Sequence, residues 1–486
     1  MAVIDFRCVF FLSGILLSGL ALTMFIPLLT ELIFYQTNNS LGFITSIFIC
    51  GFFGSALALA NRPYTKIVLG MREAFLMTAF SWIVLSLFAG LPFYCITADF
   101  SFINAWFESV SSLTTTGATV LTNLDHTSKG LLLWRALLQW LGGTGIVVMA
   151  MTIFPTLRIG GMQLFRSEFS DRSEKILPRL SQIVTGILAI YALFTIMCGV
   201  LLWWAGMSIF DAICHAMCTV STGGFSTRDT SIGFYDNPFI EVIIIVFMVL
   251  GGTTLILYIK LWNGDTKALR RDSQLRAYLG VLLVASLIVT LWQWLINHFD
   301  FVTSLRQGAF ITISTVTTTG FTTSDFGQWG HFYGIFFFIL GMIGGCTGST
   351  TGGIKIFRFQ VLFALTKSHL LQLRRPHGVY VPTYQDYKIS DAVAFSVFTF
   401  ITLYCFCLVL LALTLSGMGL NFITSLSGAA ACLSNTGLGL GELIGPHTSF
   451  ARISDGPKLV MMAGMILGRL ELLTILVLFI PSFWRD

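Results

Sequence analysis

Four short stretches of the sequence share a pattern of hydroxyl residues closed by glycine. They are Thr114-Thr115-Thr116-Gly117, Ser221-Thr222-Gly223-Gly224, Thr317-Thr318-Thr319-Gly320 and Ser434-Asn435-Thr436-Gly437. Their closing glycines lie 107, 96 and 117 residues apart, so they form a long-period repeat rather than a low-complexity tract. Threonine and serine each offer a carbonyl and a hydroxyl oxygen, and glycine allows backbone angles that turn successive carbonyls toward one line. Such motifs can replace the water around a monovalent cation.

The four motifs contain no carboxylate, which limits the kinds of cation that they could bind. Ca²⁺ and Mg²⁺ usually recruit Asp or Glu, so the motifs favour a monovalent cation. Each motif follows a short apolar stretch, whose helix would point its partly negative C-terminal end toward the ion. The alternative is a set of small residues for close helix packing. Four copies, each after a short helix, favour ion binding over packing.

The composition is that of an integral membrane protein. Hydrophobic residues make up 55% of the chain and charged residues 10%, against roughly 25% charged in a soluble domain. Continuous apolar runs of about 20 residues indicate helices rather than a barrel. The first run, Val9–Phe34, is too long for a signal-peptide core and is interpreted as a retained span. Ten scattered cysteines without a Cys-x-x-Cys pair predict buried thiols and no metal cluster.

After a leading two-helix hairpin, about 9–34 and 41–60, one unit recurs four times. Each unit has a first full span, a short apolar stretch, the glycine motif, a polar loop and a second full span. The first spans are expected at about 74–94, 183–207, 278–299 and 392–415. The short stretches are Phe102–Leu113, Ile209–Val220, Leu305–Val316 and Phe422–Leu433. They are too short to cross the hydrocarbon core and are predicted to be re-entrant; we call them half-helices.

The second full spans are expected at Leu131–Phe154, Ile240–Trp262, Phe332–Leu365 and Lys458–Pro481. The predicted fold is therefore an all-α integral membrane fold with ten transmembrane helices. It contains four M1-P-M2 repeats with pseudo-fourfold symmetry around one pore, plus the N-terminal hairpin. The expected boundaries are 1–66 for the hairpin and 67–157, 158–265, 266–375 and 376–486 for the repeats. Non-helical backbone at membrane depth is tolerated where it lines a watery path, so the four motifs should meet on one axis.

Charge is distributed unevenly between the loops. Basic residues cluster in Arg158–Arg179, Lys260–Arg276 and Lys355–Lys388, which places these loops and both termini in the cytoplasm. The loops near the glycine motifs are acidic, so the motifs should face outward. These acids either concentrate cations in an outer vestibule or simply reflect the retention of basic residues inside. The sequence leaves both interpretations open.

On these motifs the chain resembles, over its whole length, the superfamily of potassium transporters that includes bacterial TrkH and KtrB. The leading hairpin and the threonine-rich first and third motifs look more like TrkH. The resemblance implies filter glycines at Gly117, Gly224, Gly320 and Gly437. It places filter carbonyls on Thr115, Thr116, Thr222, Gly223, Thr318, Thr319, Asn435 and Thr436. Relatives with Ser at the first filter glycine tend to carry Na⁺, so Gly117 implies a preference for K⁺.

The same resemblance implies K⁺ uptake across the bacterial inner membrane through a gated pore, as the membrane subunit of a Trk-type system. K⁺ is then the transported ion, and no enzyme activity, organic cofactor or nucleic-acid partner is expected. The implied partners are membrane lipid, a second copy in a homodimer and a cytoplasmic nucleotide-binding regulatory subunit of the TrkA type. The alternative is a secondary transporter of a small solute using broken helices. An intramembrane hydrolase around Ser221 and His215 lacks an evident base, acid and oxyanion loop.

The second span of the third repeat contains five glycines within ten residues. The segment consists of Gly344, Gly345, Cys346, Thr347, Gly348, Ser349, Thr350, Thr351, Gly352 and Gly353. Each glycine costs a helix about 1 kcal/mol relative to alanine, which predicts an unwound loop below the filter. By resemblance this is the gating loop that obstructs the closed pore. A nucleotide-binding P-loop does not fit, because Ile354 separates the last glycine from Lys355 and no strand precedes it.

Arg469 lies in the middle of the last predicted span. A charge at that depth is costly and usually faces a cavity or a partner. We therefore expect Arg469 to face the pore below the filter and to tune ion occupancy, as the resemblance also implies. The alternative is a buried salt bridge to another helix. Glu471 is two positions further, about 200° around a helix, so direct pairing with Arg469 is not expected.

Overall fold

The computed structural model describes most of the chain. The described residues are 4–34, 37–63, 70–98, 100–152, 176–385, 387–446 and 448–485. They are mostly helical, with one small antiparallel pair of strands, Thr383–Tyr384 and Tyr387–Lys388. Most of the basic segment Arg158–Arg179, predicted to face the cytoplasm, lies outside the described residues.

The leading hairpin consists of Phe6–Thr23, Phe25–Ile33 and Thr37–Ala60. The first predicted span is interrupted at Met24, just before Pro27, which lacks the backbone N–H that a continuous helix needs. Hydroxyl and glycine residues let the two long helices approach closely. A Cβ added to Gly54 would lie 2.6 Å from Ser18 Oγ and 2.7 Å from Ser18 N.

Helices lie at the positions expected for spans and half-helices of the four repeats, several of them interrupted. The first spans comprise Met71–Ala89 with Leu91–Ile96, then Ile176–Trp204, Ser273–Leu295 and Asp391–Gly417. The second spans comprise Lys129–Thr152, Pro238–Gly251 with Leu255–Trp262, His331–Gly341 with Ile356–Arg374, and Asp455–Arg469 with Leu473–Leu476. Two short helices, Lys267–Arg271 and Pro481–Arg485, follow the second spans of repeats two and four. Single 3₁₀ turns lie at Leu124–His126, Ser231–Tyr235, Phe326–Gln328, Phe450–Arg452 and Val477–Phe479.

Length and composition make seven described helices able to cross a membrane, or nine if each of two bent pairs counts as one span. The second spans predicted in repeats two and four are each divided by a sharp bend. Pro238–Gly251 meets Leu255–Trp262 at 89°, and Asp455–Arg469 meets Leu473–Phe479 at 106°. The second bend occurs where Glu471 and Leu472 have positive φ angles, which end the helix. The second span of repeat three is divided by the predicted gating loop.

The half-helices begin at side-chain caps and end in the glycine motifs. Ser101, Ser208 and Asn421 each accept a hydrogen bond from the backbone N–H three residues on, which fixes three starts as predicted. The third half-helix begins at Phe301 rather than Leu305, because Asp300 caps it by accepting from Val302 N and Thr303 N. All four half-helices end where predicted. Their final bounds are Phe102–Leu113, Ile209–Val220, Phe301–Val316 and Phe422–Leu433.

A glycine of the second span packs against the end of the half-helix in three repeats. A Cβ added to Gly142 would lie 1.9 Å from the carbonyl oxygen of Leu113, and one added to Gly468 would lie 1.9 Å from that of Leu433. For Gly251 the corresponding distance, to Val220 O, is 3.0 Å. In these three repeats the contact brings the end of the half-helix, and so the start of the motif, to the same place.

The close approach within the leading hairpin predicts a stability effect. Gly54→Val should lower the free energy of unfolding by about 1–3 kcal/mol, because its side chain must displace the Ser18 backbone. The measurement is thermal unfolding of the purified protein in detergent. Gly19→Ala is the matched control, since no atom lies within 4 Å of its added Cβ. Equal melting temperatures for the two variants would contradict this packing.

Candidate functional site

The four motifs share one backbone conformation. The second residue of each is left-handed: the φ angles are 51° at Thr115, 50° at Thr222, 53° at Thr318 and 55° at Asn435. The closing glycine is left-handed too: the φ angles are 81° at Gly117, 78° at Gly224, 87° at Gly320 and 71° at Gly437. The amide of each third residue donates to the carbonyl five residues earlier, at 2.8–2.9 Å. Four segments of different sequence therefore follow the same path.

The motifs contact one another in a closed ring. A Cβ added to Gly117 would lie 2.4 Å from Gly223 O of the second motif. The equivalent distances are 1.8 Å from Gly224 to Thr319 O, 2.5 Å from Gly320 to Thr436 O, and 2.1 Å from Gly437 to Thr116 O. Each glycine thus abuts the third-residue carbonyl of the next motif, and the fourth motif returns to the first. A side chain at these glycines would meet both a forbidden φ and a neighbouring oxygen.

The oxygens in this ring belong to backbone carbonyls and hydroxyls. The described residues contain no group of three or more His, Cys, Asp or Glu that could hold a metal ion. Hydroxyl pairs within motifs fix the strands: Thr114 to Thr116 at 2.7 Å, Thr317 to Thr319 at 2.7 Å and Ser434 to Thr436 at 2.8 Å. Asn435 Nδ2 also donates to Thr116 Oγ1 at 3.0 Å and joins the fourth motif to the first. A neutral oxygen ring of this kind suits a monovalent cation.

The predicted gating loop is unwound and lies against the ring. Gly344, Gly348 and Gly353 have positive φ angles of 74–77°, which a regular helix cannot contain. The loop touches the second, third and fourth motifs. Gly352 N donates to Thr318 Oγ1 at 2.7 Å, Gly353 N donates to Ser434 O at 2.9 Å, and the hydroxyls of Thr222 and Thr350 are 3.1 Å apart.

The bend in the second repeat supplies partners for the backbone of this loop. Cys346 N donates to Gly252 O at 2.9 Å, and Thr254 Oγ1 donates to Thr347 O at 2.7 Å. Backbone groups in a buried loop need such partners, because an unpaired one is costly. In the sequence, the run Gly251-Gly252-Thr253-Thr254 is the signal for this bend. Its role as a partner of the loop could not be predicted, because the loop lies about ninety residues further along the chain.

Arg469 reaches the gating loop from the last helix. Its Nη1 donates to Thr350 O at 3.0 Å, and the residue is 2% exposed. Among the described residues, its Nε and Nη2 have no hydrogen-bond partner. Arg469 lines a cavity together with Ser349, Thr351, Gly352, Lys355 and Glu471. Within the described residues Arg469 forms no ion pair, and its one side-chain hydrogen bond is to the loop at 344–353.

A buried ion pair lies beside Arg469 and was missed from the sequence. Arg358 Nη2 donates to Glu471 Oε2 at 2.5 Å, with side-chain exposures of 0% and 9%. Arg358 also donates to Ile354 O at 2.8 Å and lies over the Phe400 ring, 3.6 Å from its centroid. The pair connects the helix that leaves the gating loop to the bend in the last span. The available signal was Glu471, an acidic residue in the last apolar span, whose partner lies 113 residues away in the sequence.

On the opposite side of the ring, polar side chains hold the strands that follow the glycines. Glu108 accepts from Thr119 Oγ1 at 2.9 Å and from Arg135 Nε at 2.8 Å. At the matching position of the second half-helix, His215 hydrogen bonds to Ser226 Oγ at 2.9 Å. These contacts fix each strand behind its own motif.

Several acidic side chains predicted to face outward are paired with arginine. Arg228 contacts Asp125 at 3.2 Å and Asp211 at 3.0 Å, and Arg306 contacts Asp236 at 2.6 Å. Burial alone would lower the pKa of Arg228, but its hydrogen bond to Asp211 raises the pKa above the ordinary value. These pairs neutralise part of the negative charge that a cation-attracting vestibule would use.

Fold and site together define a multi-pass helical membrane protein built around one ring of four glycine motifs. The TrkH family model, described as a cation transport protein, matches residues 40–485. The chain is 42% identical over 478 residues to the Trk system potassium uptake protein TrkI of Halomonas elongata, covering 96% of this chain and 94% of that protein. It is 36% identical over 486 residues to TrkH of Salmonella typhimurium, covering 99% of this chain and 100% of that protein.

The crystal structure of the potassium transporter TrkH from Vibrio parahaemolyticus superposes with a TM-score of 0.91. The two sequences are 34% identical, and the match covers 99% of this chain and 100% of that one. The chain therefore belongs to the TrkH family.

The Arg358–Glu471 pair yields a stability prediction. Glu471→Gln should lower the free energy of unfolding by about 3–5 kcal/mol, because it leaves the buried Arg358 charge without its counterion. Arg358→Met combined with Glu471→Leu should be far less destabilising, since no unpaired charge remains. Denaturant unfolding monitored by tryptophan fluorescence measures both. A double variant at least as unstable as the single one would disprove this account.

Proposed function

We propose that this chain is the membrane subunit of a Trk-type potassium uptake system and carries K⁺ through the ring of four motifs. The observation that carries the proposal is the closure of that ring, in which each motif glycine abuts a carbonyl of the next motif. Membership of the TrkH family and relatives named as potassium uptake proteins support K⁺ as the ion. The bacterial inner membrane, with both termini in the cytoplasm, is the proposed location.

The selectivity filter is assigned to the motif residues that form the ring. They are Thr115, Thr116, Gly117, Thr222, Gly223, Gly224, Thr318, Thr319, Gly320, Asn435, Thr436 and Gly437. Their carbonyls would replace the water shell of K⁺, while the preceding half-helices direct their partly negative ends toward the cavity below. Gly117 leaves room for Gly223 O, whereas a serine there would place its Cβ 2.4 Å from that oxygen. This crowding supports a K⁺ preference linked to Gly117.

The proposed architecture around this filter has ten spans, with the hairpin at 1–66 and repeats at 67–157, 158–265, 266–375 and 376–486. The gating loop, Gly344–Gly353, blocks ion passage on the side of the ring that it contacts. Three motifs bond to it, so opening requires these hydrogen bonds to be exchanged together. Arg469 holds the loop through Thr350 O and places a positive charge where an ion would leave the filter.

The partners follow from the same assignment. We propose a homodimer with one pore in each protomer, and a cytoplasmic nucleotide-binding subunit of the TrkA type. Basic residues between Lys355 and Arg375 could dock that subunit, but Lys355 and Arg358 are buried. The exposed Lys367, Arg374 and Arg375 are therefore the proposed contacts, either with that subunit or with lipid phosphate. A pull-down of the regulatory subunit with all three residues changed to Glu distinguishes the two partners. Loss of the subunit supports protein docking, and unchanged capture supports contact with lipid phosphate.

The central test of transport is flux through the purified protein in liposomes. We expect uptake of ⁸⁶Rb⁺ that K⁺ inhibits more strongly than Na⁺ does, because the ring provides only neutral oxygens. Repeating the assay with an imposed proton gradient distinguishes passive flow from coupled flow. Uptake of amino acids or sugars in place of Rb⁺ would support the secondary transporter instead.

Arg469→Ala should raise Rb⁺ flux in the absence of any partner. The variant removes a charged hydrogen bond to Thr350 O, which shifts the closed-to-open equilibrium by about ten- to a hundredfold. Arg469→Lys retains the charge but not the guanidinium geometry, and so separates the electrostatic contribution from the hydrogen bond. Unchanged flux and selectivity in Arg469→Ala would remove Arg469 from the gate.

A further inference from the structure

The second motif lacks a contact that the other three share. In the first, third and fourth motifs, the third residue is threonine, and its hydroxyl bonds to the hydroxyl of the first residue at 2.7–2.8 Å. The second motif has Gly223 at this position and cannot form that bond. Its backbone nevertheless follows the same path, with left-handed Thr222 and Gly224. Another group must therefore hold this strand in place.

That group is Gln139, from the second span of the first repeat. Its Nε2 donates to Gly223 O at 2.6 Å, and its Oε1 accepts from Phe225 N at 3.2 Å. A Cβ added to Gly223 would lie 2.3 Å from Gln139 Cδ, so the carboxamide occupies the space that a threonine side chain would need. Gln139 is fully buried. The first, third and fourth motifs thus each have a hydroxyl bond between their own first and third residues, and the second motif has Gln139 in that place.

Gln139 is also unlike the residues at corresponding positions. It lies three residues before Gly142, which contacts the end of its half-helix. Three residues before the matching glycines, Gly251 and Gly468, the chain has Met248 and Met465, both fully buried. Of these three positions, only Gln139 has a polar side chain, and it faces the one motif whose third residue is glycine.

This contact makes the ring of carbonyls unequal. Within the described part of the chain, no hydrogen bond reaches the carbonyl oxygens of Thr116, Thr319 or Thr436, whereas Gly223 O accepts one from Gln139. The bond from Gln139 occupies one of the two lone pairs of Gly223 O and fixes the direction of that carbonyl, so less of its capacity is left for a cation. One of the four equivalent oxygens is thereby committed before an ion arrives.

We infer that Gln139 is a positioning residue of the selectivity filter, which sets the second strand and, through Gly223 O, the discrimination between K⁺ and Na⁺. The inference rests on the proposed function, since it assigns selectivity to the same ring. Gln139 acts without touching the ion. It couples the first repeat to the filter strand of the second.

The experiment compares Gln139→Met, Gly223→Thr and the double variant in the liposome assay. Gln139→Met retains the length of the side chain and should lower the K⁺-over-Na⁺ flux ratio by about two- to tenfold, the range of one hydrogen bond's net contribution. Gly223→Thr alone should be poorly folded, because its side chain overlaps Gln139. The double variant gives the second motif the hydroxyl of the other three and should recover both melting temperature and selectivity. The control is Trp140→Phe, because Trp140 is on the same helix as Gln139 and its indole N–H donates to Thr195 on another helix. This variant should retain the wild-type K⁺-over-Na⁺ flux ratio.

The outcomes separate this inference from the proposed function. Wild-type protein without Rb⁺ flux would overturn the proposed function itself. Selective wild-type flux with an unchanged ratio in folded Gln139→Met would overturn the inference alone. If Gln139→Met does not fold, the double variant decides: recovery of fold and selectivity supports the inference, and failure of both overturns it.

Discussion

The contact between each motif glycine and the carbonyl of the next motif is the constraint on which the rest of the structure depends. Four such contacts close a ring, and each leaves no room for a Cβ. The four strands must therefore arrive at equivalent places with equivalent backbone angles. That requirement explains the side-chain caps that set where the half-helices start. It also explains the glycines at which second spans pack against half-helix ends.

A non-helical loop beside this ring creates a second requirement, because its backbone groups have no helical partners. The structure meets it by breaking other helices. The bend after Gly251 exposes carbonyls that accept from the loop, and the bend after Arg469 places a guanidinium against Thr350 O. The buried Arg358–Glu471 pair then joins the helix that follows the loop to the bend in the last span. The three interrupted second spans are thus consequences of one loop rather than separate irregularities.

Much of this organisation could be predicted from local sequence. Half-helices such as Phe102–Leu113 are apolar runs bounded by a cap and a glycine motif, and the loop at 344–353 is dense in glycine, so both carry their signal within a few residues. The bends and the Arg358–Glu471 pair could not be predicted, because each depends on partners about a hundred residues away. Gln139 is a polar residue in an apolar span, which indicates a hydrogen bond, but its acceptor in the second motif depends on how the repeats pack.

Covalent fusion of the four repeats permits what four identical subunits could not. In a symmetric tetramer, any residue opposite the third motif position would appear four times, and a buried glutamine would have to suit every copy. Here Gln139 meets Gly223, while Thr436 donates to Gly341 O and Asn435 reaches Thr116. The backbone retains fourfold equivalence because the glycine contacts require it. The side chains behind the backbone are free to differ, so the ring can be tuned one strand at a time.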